Sequence, residues 1–260
     1  MARSVKSAER VLELLEYFSW VGNIGVRLKD IERDLNYPQS SCSVLLNRLV
    51  DLGYLRYVPQ DRTFLPTLRV DFLGESCLSK STESKESMSY LEELFEKTED
   101  LCFIAQRNGA DLQYVAFRRS RKWRGAAPPA GFKRPLTLAA SGKVILSFLP
   151  QSEVLGILQR NNAEAVGERG RPTASVLMSD LDEIRYARVA KSDPQITPGL
   201  IGFATWLEGK DRGVPYAIGV AVPTDSGICR YEQAIRALLE INQRSGTGAA
   251  QTVSGLADLY

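Results

Sequence analysis

Between Gln39 and Arg48 the chain places Gln39, Ser40, Ser41, Ser43, Asn47 and Arg48 among apolar residues at helical spacing. A merely solvated helix face usually carries Lys and Glu. This one carries short donors and acceptors with a single strong charge. Such groups suit the edges of base pairs: a Gln amide can bond both N6 and N7 of adenine, and a serine hydroxyl serves several bases or a phosphate. Compact uncharged side chains also let a helix lie close to a duplex. The plain alternative is a solvated face in a small helical domain.

Other chemistries find less support. The chain has no histidine, so the usual general base, the Ser-His and Cys-His nucleophiles and the commonest metal ligand are all missing. Asp180, Asp182 and Glu183 are conceivable acid-base groups, but their helical setting points to solvated acids. Cys102 has no imidazole to activate it. The four cysteines are widely spaced with no CxxC pair, which argues against a zinc site or a disulfide framework and predicts buried small hydrophobes. No catalytic residue, metal or cofactor is expected. The net charge of +2 calls for no polyanionic partner globally, so any contact with DNA must come from local placement of charge. In "RRSRKWRG", Arg118, Arg119, Arg121, Lys122 and Arg124 surround Trp123. This is a solvated basic loop, an anion-binding or effector-gating loop, or an auxiliary contact to DNA or a partner.

The elements that position these residues follow from periodicity. Ala8, Val11, Leu12, Leu15 and Phe18 form one helical stripe, and Leu28, Ile31 and Leu35 mark a second, shorter helix. Pro38 suits the first turn of a third helix, whose buried side is Cys42, Leu45, Leu46 and Leu49 and whose stop is Gly53. "YLRYV" and "TFLPT" read as strands around a "PQDR" turn. Three helices and a hairpin make a winged helix-turn-helix over residues 1–75, with the helix-turn-helix at about 26–45. Ten cations there balance ten acids, but Arg48, Arg56 and Arg62 gather on the third helix and wing, and Arg3 and Lys6 precede any acid. Residues 76–98 read as a solvated connector helix. Residues 99–245 form an α/β (α+β) domain with a mixed or antiparallel sheet. It includes a hairpin around Asn108 to Asp111 and a continuously apolar, central strand "PYAIGVAVPT". Residues 246–260 read as a loose tail. The start lacks a signal-peptide core and no apolar run reaches membrane-spanning length, so the expected location is cytoplasmic.

The chain resembles the IclR-type transcriptional regulators. "SVKSAERVLELLEYF" is similar to the family's opening helix, and "YPQSSCSVLLNRLVDLGYLRYVPQDRTFLP" to its recognition helix and wing. "RPLTLAASGKVILSFLP" and "ITPGLIGFA" resemble its effector-domain signatures. The resemblance implies a dimerising linker helix, a GAF-like effector-binding domain, and a dimer or dimer of dimers that represses or activates. Its effector is often a carboxylate or aromatic metabolite. The polar side chains the family places around its effector match Ser192, Gly202, Gly219 and Ala221 here, and the backbone-amide cradle matches Ala140 and Ser141. Gln195 stands where the signature has Glu, and Arg188 where Gly is usual. Most of the pocket's polar groups are therefore absent, and Arg118, Arg119 and Arg121 are the candidates to supply the lost charge recognition.

The resulting expectation is a sequence-specific regulator of an operator in double-stranded DNA. Gln39, Ser40, Ser41, Ser43, Asn47 and Arg48 read the site, and Arg3, Lys6, Arg56 and Arg62 contact phosphates or the minor groove. A small-molecule effector modulates binding, and no membrane is involved. The rivals are a constitutive DNA binder with a decayed effector site, and a small-molecule enzyme on the α/β domain.

Overall fold

A computed structural model of the chain describes residues 5–21, 24–71, 73, 82–120, 132–164, 172–192, 196–207 and 216–246. The chain divides into two compact units, the first built on Met1–Ser81 and the second starting at Thr82.

The first unit runs α1 (Lys6–Val21), β1 (Val26–Arg27), α2 (Leu28–Leu35), α3 (Gln39–Asp51), β2 (Leu55–Val58) and β3 (Thr63–Pro66). Its three strands are ordered β1-β3-β2, all antiparallel. Leu14, Tyr17, Phe18, Ile31, Cys42, Leu46, Leu49, Leu55 and Phe64 share one core. Along α1 the buried side is thus Leu14, Tyr17 and Phe18, while Leu12 and Ala8 face solvent. The expected stripe has the wrong phase because Tyr17 counts as polar in sequence. Its ring is buried all the same, since its hydroxyl donates to Asp34 Oδ2 at 2.8 Å. Asn36 closes α2 in the left-handed region, at φ 53°. Pro38 stands at the N-cap of α3, one position before the first turn. Gly53, at φ 79°, ends α3, its N–H reaching Val50 O while Tyr54 N–H reaches Leu49 O. These paired bonds satisfy carbonyls the helix end would otherwise leave open.

The second unit begins with α4 (Thr82–Thr98), β4 (Leu101–Asn108), β5 (Asp111–Arg118), β6 (Lys133–Pro135), α5 (Ala140–Leu146) and α6 (Gln151–Glu164). It continues with α7 (Ala174–Ala187), β7 (Ala190–Lys191), β8 (Leu200–Leu207), β9 (Tyr216–Pro223) and α8 (Ile228–Ser245). Its antiparallel sheet has the order β6-β5-β4-β9-β8-β7. The continuously apolar β9 is central, as its composition predicts. One face of the sheet packs on α5, α6 and α7 through Phe103, Leu112, Val144, Ile157 and Leu181. The other packs on α4 and α8 through Leu91, Leu94, Phe203, Leu238 and Ile241.

Two elements differ from the sequence reading. Over the described part of 76–98, α4 is a packed layer of this unit rather than a solvated connector: Leu91 and Leu94 are wholly buried. The Ser- and Lys-rich start masks the apolar spacing Met88, Leu91, Leu94, Phe95 that does the packing. Helix α6 is not among the elements expected from periodicity; it starts directly after Pro150, where a proline is well placed to open a helix. Among the cysteines, Cys42 and Cys102 are buried as expected and Cys229 is exposed. Cys77 lies outside the described residues. Burial pushes the Cys42 thiol up to about 11 and the Cys102 thiol to about 12, so neither carries thiolate at neutral pH.

Candidate nucleic-acid interface and effector site

Helix α3 sorts its residues cleanly. Cys42, Leu46 and Leu49 point into the core, while Gln39, Ser40, Asn47 and Arg48 are exposed and Ser41 and Ser43 half-buried. Asn47 Nδ2 lies 3.5 Å from Ser43 Oγ, a weak bond that leaves both side chains available to a partner. Val44 is also outward, 71% exposed, although an apolar residue in a leucine-rich helix reads as core from sequence. The wing adds Arg56 and Arg62, both exposed. Arg62 holds φ 54° in the β2–β3 turn, a left-handed position that closes the hairpin tightly. Lys6 is exposed at the start of α1, and Arg3 lies outside the described residues. The unit therefore presents one compact hydrogen-bonding helix face together with cations on helix and wing. In a helix-turn-helix this second helix enters the major groove.

In the second unit the residues matched to an effector site come from several elements. Gly202 and Ala221 are register partners, and Gly219 pairs with both Ala204 and Phe103. Ser192 is tied to Gly202 twice: its N–H donates to Gly202 O at 2.8 Å, and its Oγ accepts from Gly202 N–H at 2.8 Å. Ala140 belongs to the core cluster on the α5 side of the sheet, and Ala221 packs against that cluster. Ser141 in the first turn of α5 is 1% exposed, and its Oγ has no hydrogen bond of full geometry.

Rings crowd the space beside Gly219. A Cβ on Gly219 would lie 2.6 Å from the Phe103 ring, so Phe103 fills that space. Tyr114 meets Phe103 edge-on at 5.0 Å and stacks on Phe117 at 5.5 Å and Phe132 at 5.9 Å. Burial pushes the Tyr114 phenol up, partly offset by the charge of Arg134 and by the nearby Ser141 hydroxyl. The Ser141 contact thus influences Tyr114 without amounting to a hydrogen bond. Arg134 lies on β6, at one end of the strand order, yet its guanidinium reaches Ile196 O at 3.4 Å in the β7–β8 connection at the other end. It also covers the Phe132 ring at 5.2 Å. Among the described residues no carboxylate pairs with it. Nothing local in the sequence marks Arg134, part of the "RPLTLAASGK" motif, as a residue that spans the sheet.

Arg118 is not brought to this group. Phe117 takes the α5-side face, so the next residue turns to the other face, where the Arg118 guanidinium pairs with Glu92 of α4. The expectation that Arg118 recognises the effector is corrected on that ground: strand alternation sends it through the sheet to the helix layer. Arg119 follows the end of β5, and Arg121, Lys122, Trp123, Arg124 and Gln195 lie outside the described residues.

These two units define a winged-helix DNA-binding regulator joined to an effector domain. The comparisons make the class specific. A model of the IclR helix-turn-helix domain matches residues 7–59, and a model of the bacterial transcriptional regulator IclR C-terminal domain matches residues 77–244. The chain belongs to the IclR family of transcriptional regulators. It is similar to the probable transcriptional regulator SauR of Cupriavidus necator, 24% identical over 84% of this chain and 86% of that one. Its fold is that of an IclR regulator from Alicyclobacillus acidocaldarius, at 19% identity and a TM-score of 0.58 over 94% of this chain and all of that one. The Thermotoga maritima IclR matches at 16% identity and a TM-score of 0.57, with the same coverage. Among the described residues no helix is long and apolar enough to cross a membrane.

Proposed function

We propose that this chain acts in the cytoplasm as a homo-oligomer whose paired recognition helices bind an operator and whose second unit senses a small anion with a flat apolar body. The outward face of α3 carries the reading. Gln39, Ser40, Ser43, Asn47 and Arg48 reach base edges, with Ser41 at the flank, and Lys6, Arg56 and Arg62 contact phosphates. With so few cations, the salt dependence per unit is shallow and a dimer reading two half-sites restores affinity. Selection of duplexes by the full chain should yield one paired half-site. Replacing Gln39 and Asn47 together by Ala should flatten it, at about 1–3 kcal/mol for each lost bidentate contact. Equal, weak retention of every duplex would refute the reading.

The effector side rests on Arg134 and its aromatic neighbours. A guanidinium that no carboxylate among the described residues pairs, set beside stacked rings, suits a carboxylate attached to a planar group. A ligand that displaces the long Arg134–Ile196 contact binds one arrangement of the unit better than the other, which any allosteric response requires. Saturation at a hundredfold excess over Kd is worth about 2.7 kcal/mol, a rise of several degrees in unfolding temperature. That rise should vanish in Arg134→Gln. The infilling of the Gly219 space by Phe103 favours a second reading, a constitutive binder. A flat response to a panel of aromatic and aliphatic carboxylates would select it.

A further inference from the structure

On the outward side of α3, Ser40, Val44, Asn47 and Asp51 follow one another at i, i+4, i+7 and i+11. Among the first three only Val44 has no hydrogen-bonding group, and it is 71% exposed. A lone exposed valine on a protein surface is ordinary. This one sits at the centre of the face that enters the groove, between an exposed hydroxyl and an exposed amide. Valine is a poorer helix former than the Lys, Glu or Gln that a solvated position would carry, because its branched side chain is stiff. Its χ1 is then nearly fixed, so its two methyls are presented in one direction at little further entropic cost.

The major groove of B-DNA offers one apolar feature on a base edge, the 5-methyl of thymine. We infer that Val44 packs against a thymine methyl and is a specificity-determining residue of the operator half-site, with Ser40 and Asn47 fixing bases on either side. This rests on the placement of α3 in the groove proposed above. The competing surface role, an apolar contact with another protein chain, is disfavoured by the surroundings: the polar neighbours and the exposed Arg48 would be desolvated without the base-edge and phosphate partners a duplex offers.

Uracil tests the contact directly, since it keeps every hydrogen-bonding group of thymine and lacks only the methyl. The full chain is titrated against its selected duplex and against duplexes carrying uracil at one thymine of each half-site in turn. At one thymine, removal of the methyl should weaken the wild-type chain about fourfold per half-site, the factor that hiding one such group from water supplies. The Val44→Ser variant should bind thymine and uracil duplexes alike, and its unfolding temperature should match the wild type because the side chain touches no core. If no thymine shows a loss specific to the wild-type chain, the Val44 contact is overturned even though selective binding stands. If the wild-type chain selects no duplex at all, the placement of α3 fails and the contact with it.

Discussion

Gly142→Ala is expected to lower the stability of the second unit by about 3 kcal/mol, the upper part of the range for overpacking a closed core. A Cβ at this position would lie 2.1 Å from Leu136 O and 2.8 Å from Leu136 C and Cα. All three are backbone atoms, so no side chain can swing aside. Helix α5 has little room to retreat, since six of its seven residues are buried, and Lys143 in the next position is held by Asp180 at 2.5 Å. For a unit of this size the loss corresponds to a fall of roughly 6–12 °C in unfolding temperature, measured on the full chain by calorimetry. The same substitution should disturb any effector response, because Ser141 precedes Gly142 in the turn. A fall of less than about 2 °C would show that α5 does not lie against the chain at Leu136 as described.

Arg230→Gln is expected to cost about 2 kcal/mol at neutral pH. Arg230 Nε and one terminal nitrogen each hold an oxygen of Asp100 at 2.9 Å, clamping the first turn of α8 to the junction of α4 and β4. The Asp100 side chain is 4% exposed and that of Arg230 42%. Breaking a fully buried pair costs about 3–5 kcal/mol, and the open side of Arg230 reduces that. The pH dependence has a definite sign. Burial raises the Asp100 pKa above the usual carboxylate value, outweighing the pull of Arg230. The folded state therefore takes up this proton at a higher pH than the unfolded chain, so the group's contribution is fully present below the unfolded pKa and is lost as pH rises through the folded one. Without Arg230 the upward shift grows. The variant's deficit should then shrink as pH falls towards the ordinary carboxylate range, and adding Asp100→Asn should recover much of it at neutral pH. A deficit independent of pH would mean that Asp100 does not depend on Arg230.

Family membership and the two sides of α3 were legible because both rest on short-range pattern. Cys42, Leu46 and Leu49 recur at helical spacing, so the opposite side of α3 could be named before any coordinates. Gly53 marked the stop, the absence of histidine removed whole classes of chemistry, and the apolar run of β9 placed it in the centre of a sheet. Each is a property of residues a few positions apart, which local backbone geometry converts directly into a face or a terminus.

The rest depended on residues far apart in the chain. Arg118 and Phe117 are neighbours that alternate to opposite faces, and only the packing of α4 decides which face carries Glu92. Arg134 meets a carbonyl 62 residues away, and Asp100 meets Arg230 across 130. Phe103 fills the space over Gly219 because β4 and β9 are registered side by side. Periodicity determined which residues share a side of an element; only the folded chain decided what that side faces, because pairing and burial are set by the sheet and helix layers closing on one another.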